Sequence, residues 1–120
     1  MKNQILPHAH GSNEGKVAEH MPTENEIAGV SEAMKQLGDP SRLRIFWLLC
    51  HCEECVINIS SIVGMSSPAV SHHLRQLRSG GLITSRREGK EVYYKASDSR
   101  QAQLLHQFLE QMMEITCPEA

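Results

Sequence analysis

Cys50, Cys52 and Cys55 form a Cys-x-Cys-x-x-Cys pattern in the run C-H-C-E-E-C-V-I-N, and Cys117 lies near the end of the 120-residue chain. A thiolate is both a nucleophile and a soft ligand, so this spacing offers metal coordination or thiol oxidation. Cys52 and Cys55, three residues apart, share a face if a helix persists through them. Cys50, next to Leu49, also suits a small core position. Structural disulfides are not expected. Met1 to Met21 has no hydrophobic segment of a signal peptide and no apolar run approaches a membrane span, so the chain reads as cytosolic, where thiols stay reduced. A thiol oxidoreductase built on Cys52-Glu53-Glu54-Cys55 or a zinc hydrolase built on the histidines is disfavoured. The Cys-x-x-Cys has no βαβ context, and neither a Gly-rich phosphate loop nor H-E-x-x-H occurs.

A second constellation lies in M-S-S-P-A-V-S-H-H-L-R-Q-L-R-S-G-G, Met65 to Gly81. Ser66 or Ser67 supplies a helix cap, Pro68 fits the first turn and Gly80-Gly81 stops the helix. Val70, Leu74 and Leu77 form one apolar stripe, which leaves Ser67, Ser71, His72, Arg75 and Arg78 on the other faces. The apolar run Ile57 to Val63 ends in Gly64, so helix, tight turn and helix make a helix-turn-helix whose second helix suits a DNA major groove. Net charge is only −2, but the balance is uneven. Between Ser66 and Lys95, Arg75, Arg78, Arg86, Arg87, Lys90 and Lys95 oppose only Glu88 and Glu91. The positive charge gathers on the helix-turn-helix and just after it.

The remaining elements must position these groups. Met1 to Thr23 carries His8, His10 and His20 among Pro7, Gly11, Gly15 and Pro22 with little apolar periodicity, and reads as a flexible arm. Thr23 and Glu26 make a capping box for an amphipathic helix through Ile27, Val30, Met34 and Leu37, ending near Gly38. Asp39 caps the next helix, with Pro40 at its first position; Leu43, Phe46, Trp47 and Leu49 make it the central buried helix, which breaks up near the cysteines. Leu82 to Arg87 and Glu91 to Lys95 form a hairpin turning at Gly89, a wing that brings Arg86, Arg87 and Lys90 to phosphates or a minor groove. Ser97 or Asp98 caps a last helix with a wide apolar stripe of Leu104, Leu105, Phe108, Leu109, Met112 and Met113. This stripe and that of the first amphipathic helix suit a two-fold interface. The expected fold is mainly α with a small β-hairpin, a winged helix-turn-helix dimerising through its first and last helices. The expected divisions are an arm at 1–23, the DNA-binding and dimerisation domain at 24–116 and a tail at 117–120.

L-G-D-P-S-R-L-R-I at Leu37 to Ile45, S-S-P-A-V-S-H-H-L-R-Q-L-R at Ser66 to Arg78 and G-L-I-T-S-R-R-E-G-K-E-V-Y-Y at Gly81 to Tyr94 occur in this order. Together they resemble the ArsR/SmtB family of metal- and metalloid-responsive repressors. The resemblance implies a homodimer that binds an inverted-repeat operator in double-stranded DNA and releases it when an inducer binds. It also implies that Ser71 and His72 reach the major groove. A family metal site on the last helix falls here on Asp98, Arg100, Gln111 and Glu114, which lack the imidazoles zinc prefers, so Asp98 reads as a cap. A second family site uses a C-V-C-D-like motif; here the run is C-V-I-N, with Cys55 in the first position and Cys50 and Cys52 added upstream. Three such thiolates suit As(III), Cd(II), Pb(II) or Zn(II) as inducer, with no organic cofactor. By the same resemblance His8, His10 and His20 of the partner's arm, or Cys117, can complete the site. His51 and His106 match no family position and read as structural or solvated. A disulfide or polysulfide bridge from Cys50 or Cys52 to Cys55 or Cys117 would instead make a thiol-redox or reactive-sulfur sensor.

Overall fold

Asp39 starts the helix on which the core is built. In the computed structural model, which describes residues 6–8, 10, 11 and 13–116 and not the side chains of 115 and 116, its Oδ1 accepts the backbone N–H groups of Ser41 at 2.8 Å and Arg42 at 3.0 Å. With Pro40 in the first turn, this fixes the start of a helix over Pro40–His51. The elements in chain order are α1 Glu14–Glu19, α2 Glu24–Gln36, α3 Pro40–His51, β1 Glu54–Cys55, α4 Val56–Val63, α5 Ser67–Ser79, β2 Ile83–Glu88, β3 Glu91–Ala96 and α6 Arg100–Thr116.

The chain divides into two units, Met1–Ser31 and Glu32–Ala120, with the boundary inside α2. The first unit holds α1 and the start of α2, where the Thr23–Glu26 capping box forms: Thr23 N–H donates to Glu26 Oε1 at 2.8 Å and Glu26 N–H to Thr23 Oγ1 at 3.1 Å.

The second unit is organised around α3. Ile45, Phe46 and Leu49 are buried among Ile59 and Val63 of α4, Val70, Leu74 and Leu77 of α5, Leu82, Ile83, and Ala102, Leu105 and Leu109 of α6. Full burial of each large aliphatic or aromatic side chain contributes roughly 1.5–3 kcal/mol, so Ile45 and Phe46 anchor the helix firmly. The expected stripe on α5 faces inward as Val70, Leu74 and Leu77. Gly64, at φ 71°, makes the left-handed turn from α4 to α5, where Ser66 Oγ accepts the Ala69 N–H. A Cβ at Gly64 would meet no neighbouring atom, so the constraint there is the backbone angle and not crowding. β2 and β3 pair antiparallel around Gly89, with Ser85 opposite Tyr94 and Arg86 opposite Tyr93. They form the hairpin within one residue of its expected limits.

One condition left open by the sequence reading is settled, with the helix ending near the cysteines as expected, and two details depart from it. The α3 helix stops at His51, and Cys52 takes an extended conformation, φ −157° and ψ 163°. The following segment pairs as β1 with β3, Glu54 opposite Tyr94 and Cys55 opposite Tyr93, so Cys52 and Cys55 do not share a helical face. The sheet has the order β1-β3-β2; pairing along β3 satisfies backbone groups that a continued helix would have satisfied internally. At α6, Ser99 and not Ser97 or Asp98 is the cap, accepting the Ala102 N–H at 3.1 Å, while Ser97 Oγ accepts the Ser99 N–H at 3.0 Å. The helix begins at Arg100, which puts Ser99 in the capping position. Finally, the broad stripe of α6 divides. Leu105 and Leu109 are buried in this chain's own core, whereas Leu104, Phe108, Met112 and Met113 remain exposed, as do Ile27, Val30 and Met34 of α2. No helix among the described residues is long and apolar enough to cross a membrane.

Backbone donors from Arg42, foremost, and Ser41 hold the Asp39 carboxylate below its ordinary value of 3.8. A depressed carboxylate stabilises the fold at pH values above the unfolded value, and that contribution is lost as pH falls through the folded one. Asp39→Ala should therefore cost about 1 kcal/mol at pH 7, within the usual range for caps. Urea midpoints measured for both proteins should converge as pH drops below that value of 3.8. A difference that persists undiminished in acid would mean that the carboxylate is not the stabilising group.

Candidate nucleic-acid interface and metal-ligating groups

α5 is held from beneath by its three apolar anchors, so its other faces are set in place without using their polar groups. His72, Arg75 and Arg78 are exposed and Ser71 is half-buried. Ser71, Arg75 and Arg78 line a shallow hollow with Leu74 and Tyr94 of β3, which places the helix surface beside the hairpin. Ser67 Oγ lies 3.2 Å from Ser60 Oγ, linking the two helices of the helix-turn-helix. The neighbouring His73 differs from His72. It is half-buried, its Nδ1 is 3.5 Å from Arg42 Nη1, and burial pushes its pKa down, partly opposed by Asp39. A neutral ring accepting from Arg42 ties α5 back to the start of α3.

The wing divides its cations between two uses. Arg86 donates from Nε and Nη2 to both oxygens of Glu53, at 2.8 and 2.9 Å, and from Nη1 to Glu88 at 2.8 Å, with its guanidinium 5.0 Å from the centre of the Tyr93 ring. These are charge-assisted bonds in the paired geometry that arginine favours, and the hydrogen bond from Arg86 holds Glu53 below the ordinary carboxylate range. Arg86, expected on the phosphate-facing surface, is thus engaged with the segment between Cys52 and Cys55. Arg87 and Lys90 are exposed near the hairpin turn.

The cysteines are spread over the junction of α3, β1 and α4. Cys50 is half-buried, and burial, reinforced by the Glu110 carboxylate, pushes its thiol up to about 11. Cys52 is exposed at the C-cap of α3, its Sγ 3.6 Å from Leu48 O; partial burial, then Glu54, raises its pKa. Both line a cleft with Glu53, Lys95, Asp98 and His106. Cys55, at the N-cap of α4, is not among the residues lining it. In the first unit His8 and His10 are exposed, their rings stacked with centroids 5.8 Å apart, and His20 Nδ1 donates to Lys16 O at 2.8 Å. Cys117 lies outside the described residues.

Among the described residues, the group of three potential metal ligands whose donor atoms converge is His51, His106 and Glu110. The two Nε2 atoms are 3.3 Å apart, and Glu110 Oε1 lies 3.9 Å from that of His51 and 3.7 Å from that of His106. Trp47 Nε1 donates to the other carboxylate oxygen at 3.1 Å, and the Trp47 and His51 rings are 4.3 Å apart. The two histidines therefore have a shared environment that sequence alone did not reveal. His106 and Glu110 stand four apart on one helix, a legible pairing, but the approach of His51 depends on how α3 packs against α6.

Comparison with known proteins places this architecture. Residues 39–85 match the model of the bacterial regulatory protein, arsR family. The chain is 38% identical over 85 residues to a transcriptional repressor SmtB homolog from a Synechocystis strain, covering 71% of this chain and 64% of that protein, so it spans somewhat less than two thirds of that relative. It is 38% identical over 84 residues to a cadmium resistance transcriptional regulatory protein CadC homolog from Staphylococcus aureus, covering 68% of this chain and 69% of that one. The solution structure of a homodimeric winged helix-turn-helix DNA-binding domain from Mycobacterium bovis superposes with a TM-score of 0.66 at 29% identity, covering 78% of this chain and 89% of that domain. With the helix-turn-helix, the hairpin and the extent of these matches in agreement, the chain belongs to the ArsR/SmtB family of bacterial regulatory proteins.

Proposed function

We propose that this protein is a dimeric transcriptional repressor that binds an inverted-repeat operator and releases it when a thiophilic metal or metalloid ion binds Cys50, Cys52 and Cys55. The observation that carries the DNA-binding reading is α5: three buried anchors hold a helix that presents Ser71, His72, Arg75 and Arg78 beside a hairpin bearing Arg87 and Lys90. Relatives named as a transcriptional repressor and a cadmium resistance regulator support repression and a metal input. The homodimeric Mycobacterium bovis domain supports a dimer, and the exposed apolar side chains of α2 and α6 supply surface for one. Ser67 serves α5 by holding its first turn to α4 and lies near the DNA-facing end.

The cysteines support an ion input through their position. Cys55 immediately precedes α4, the first helix of the helix-turn-helix, and Cys52 immediately follows α3. An ion drawing these sulfurs together moves the entry to α4 and with it the setting of α5. If the ion favours a spacing of recognition helices that DNA does not, each ligand weakens the other's binding by the same factor. His8 of the partner subunit, His10 of the partner subunit, His20 of the partner subunit or Cys117 completes the coordination in this reading. The raised thiols of Cys50 and Cys52 favour an ion over oxidation as the input. Redox sensors depend on low-pKa thiolates in the resting protein, whereas a bound cation brings the positive charge that deprotonates its own ligands.

The test is selection from a pool of random duplex DNA with the full-length reduced protein. It should enrich an inverted repeat with half-sites about one helical turn, 10–10.5 bp, apart. Enrichment of no sequence rejects the repressor reading. On the selected duplex, As(III), Cd(II), Pb(II) or Zn(II) should lower affinity in the wild type and not in Cys52→Ser/Cys55→Ser. Release by oxidant or polysulfide alone would replace the ion by a redox input. Arg87→Ala and Lys90→Ala should each reduce the salt dependence of binding by about one unit of slope, the loss of one phosphate contact. Arg86→Ala should leave that slope unchanged, because its charge is already engaged with two carboxylates. In the absence of ions, Cys50 should be alkylated by iodoacetamide at pH 8 about two orders of magnitude more slowly than an unperturbed thiol, as measured by mass spectrometry of timed digests. Alkylation of Cys50 at the ordinary rate would remove the argument against oxidation.

A further inference from the structure

We propose that His51, His106 and Glu110 form a second metal site, with no cysteine among its donors, that takes a divalent ion of the Zn(II), Co(II) or Ni(II) class and braces α3 against α6. The separations of the three donor atoms carry the argument. Two carboxylate–imidazole distances, 3.7 and 3.9 Å, are too long for hydrogen bonds, and the imidazole–imidazole distance is 3.3 Å. The imidazole pair is itself at hydrogen-bonding distance, and the three separations together also match the edges of a coordination sphere. A circle through three atoms at those separations has a radius of about 2.1 Å, the length of a Zn–N bond. One ion therefore reaches both nitrogens and the oxygen with the side chains where they are, and a small movement of the carboxylate opens a fourth, tetrahedral position to water.

The donor set also fits the ion class. Two imidazoles and one carboxylate are borderline-to-hard ligands suited to zinc, cobalt and nickel, whereas As(III) or Pb(II) would favour the thiolates. Support around the ligands is already built. Trp47 donates to Glu110 Oε2, which leaves Oε1 on the side of the two Nε2 atoms, and its ring packs against that of His51. Outer partners of this kind orient ligands in metal centres. The three side chains are 32–44% exposed, so an ion can enter from solvent without opening the core.

Trp47 is the only tryptophan in the chain, which gives the site an internal reporter. The experiment uses the full-length dimer carrying Cys52→Ser/Cys55→Ser, so that failure of the cysteine reading and failure of this one are separated. Titration with Co(II) should give ligand-field bands without intense sulfur-to-metal charge transfer, at one ion per chain. Zn(II), which has no quenching electrons of its own, should change Trp47 fluorescence with the same stoichiometry. A hundredfold excess of Zn(II) over its dissociation constant should raise Tm by about 8–15 °C. His106→Ala and His51→Ala should each abolish all three responses. Glu110→Gln should weaken binding, and Trp47→Phe, which leaves all three ligands in place, should weaken it about 10-fold, as loss of an outer partner does. Far-ultraviolet circular dichroism and melting of the ion-free variants identify any that fail to fold, and His106→Asn provides a polar replacement for that case. Responses that survive His51→Ala and His106→Ala, or a Co(II) spectrum dominated by thiolate charge transfer, would overturn the proposal, as would the absence of any response to millimolar ion.

Discussion

Burial of one face of α3 is the interaction on which the rest of the molecule depends. Ile45, Phe46 and Leu49 touch the apolar faces of the elements that follow, and those elements are too short to stand alone. α4 has 8 residues and α5 has 13, lengths at which isolated helices are marginal in water. Each is stable because it packs on α3, so each takes its direction from α3. The recognition surface is thus positioned indirectly: α3 fixes α5 from below, and the solvent-facing side chains of α5 are left to polar work. The cap at Asp39 and the His73–Arg42 contact fix the N-terminal end of α3 relative to α5. The other end of the helix is where the chemistry lies.

Within three residues of that end stand Cys50, His51 and Cys52, and the chain then extends into β1. A helix C-terminus exposes carbonyl groups without internal partners and carries partial negative charge, an environment that favours cations and disfavours thiolates until a cation is present. The thiols of Cys50 and Cys52 are raised there by burial, reinforced by Glu110 and Glu54 respectively, and His51, His106 and Glu110 are grouped beside them. Two kinds of donor stand near that end, the sulfurs of Cys50 and Cys52, which share a cleft with His106, and the nitrogen and oxygen atoms of His51, His106 and Glu110. Ligand softness would separate the ions that the two proposed donor sets take.

Elements governed by local chemistry were legible in the sequence. The Thr23–Glu26 box, Asp39-Pro40, Ser66 with Pro68, Gly64 and the hairpin at Gly89 all have causes within a few residues, and they form where expected. The family resemblance added the assembly of these pieces into a winged helix-turn-helix, a fold that the homodimeric Mycobacterium bovis domain shares. What the sequence hid was set by pairing across distance. β1 is two residues long and exists because β3 offers it an edge, so nothing local marks it. The engagement of Arg86 needs Glu53 at a separation of 33 residues, and the approach of His51 to His106 spans 55. The apolar stripe of α6 was visible as a whole, but its division into core and exposed halves depended on where α3 lies.

The same pairing ties the cysteine segment to the wing. Glu53 sits between Cys52 and Cys55, and both of its carboxylate oxygens are held by Arg86 on β2 of the wing. The backbone of that segment is joined to β3, so the cysteine run is part of the sheet that carries Arg87 and Lys90. Under the proposed ion input, a change at Cys52 and Cys55 would have two routes to the surface of α5 and the hairpin: through Cys55 into α4 and α5, and through Glu53 into the hairpin. The second route needs a link that holds in one state and can be exchanged in the other. A partly exposed ion pair meets this condition, because water compensates most of its loss, whereas a buried pair would resist the exchange. The link reaches across β3 between the two outer strands, partly exposed and outside the core of Ile45, Phe46 and Leu49.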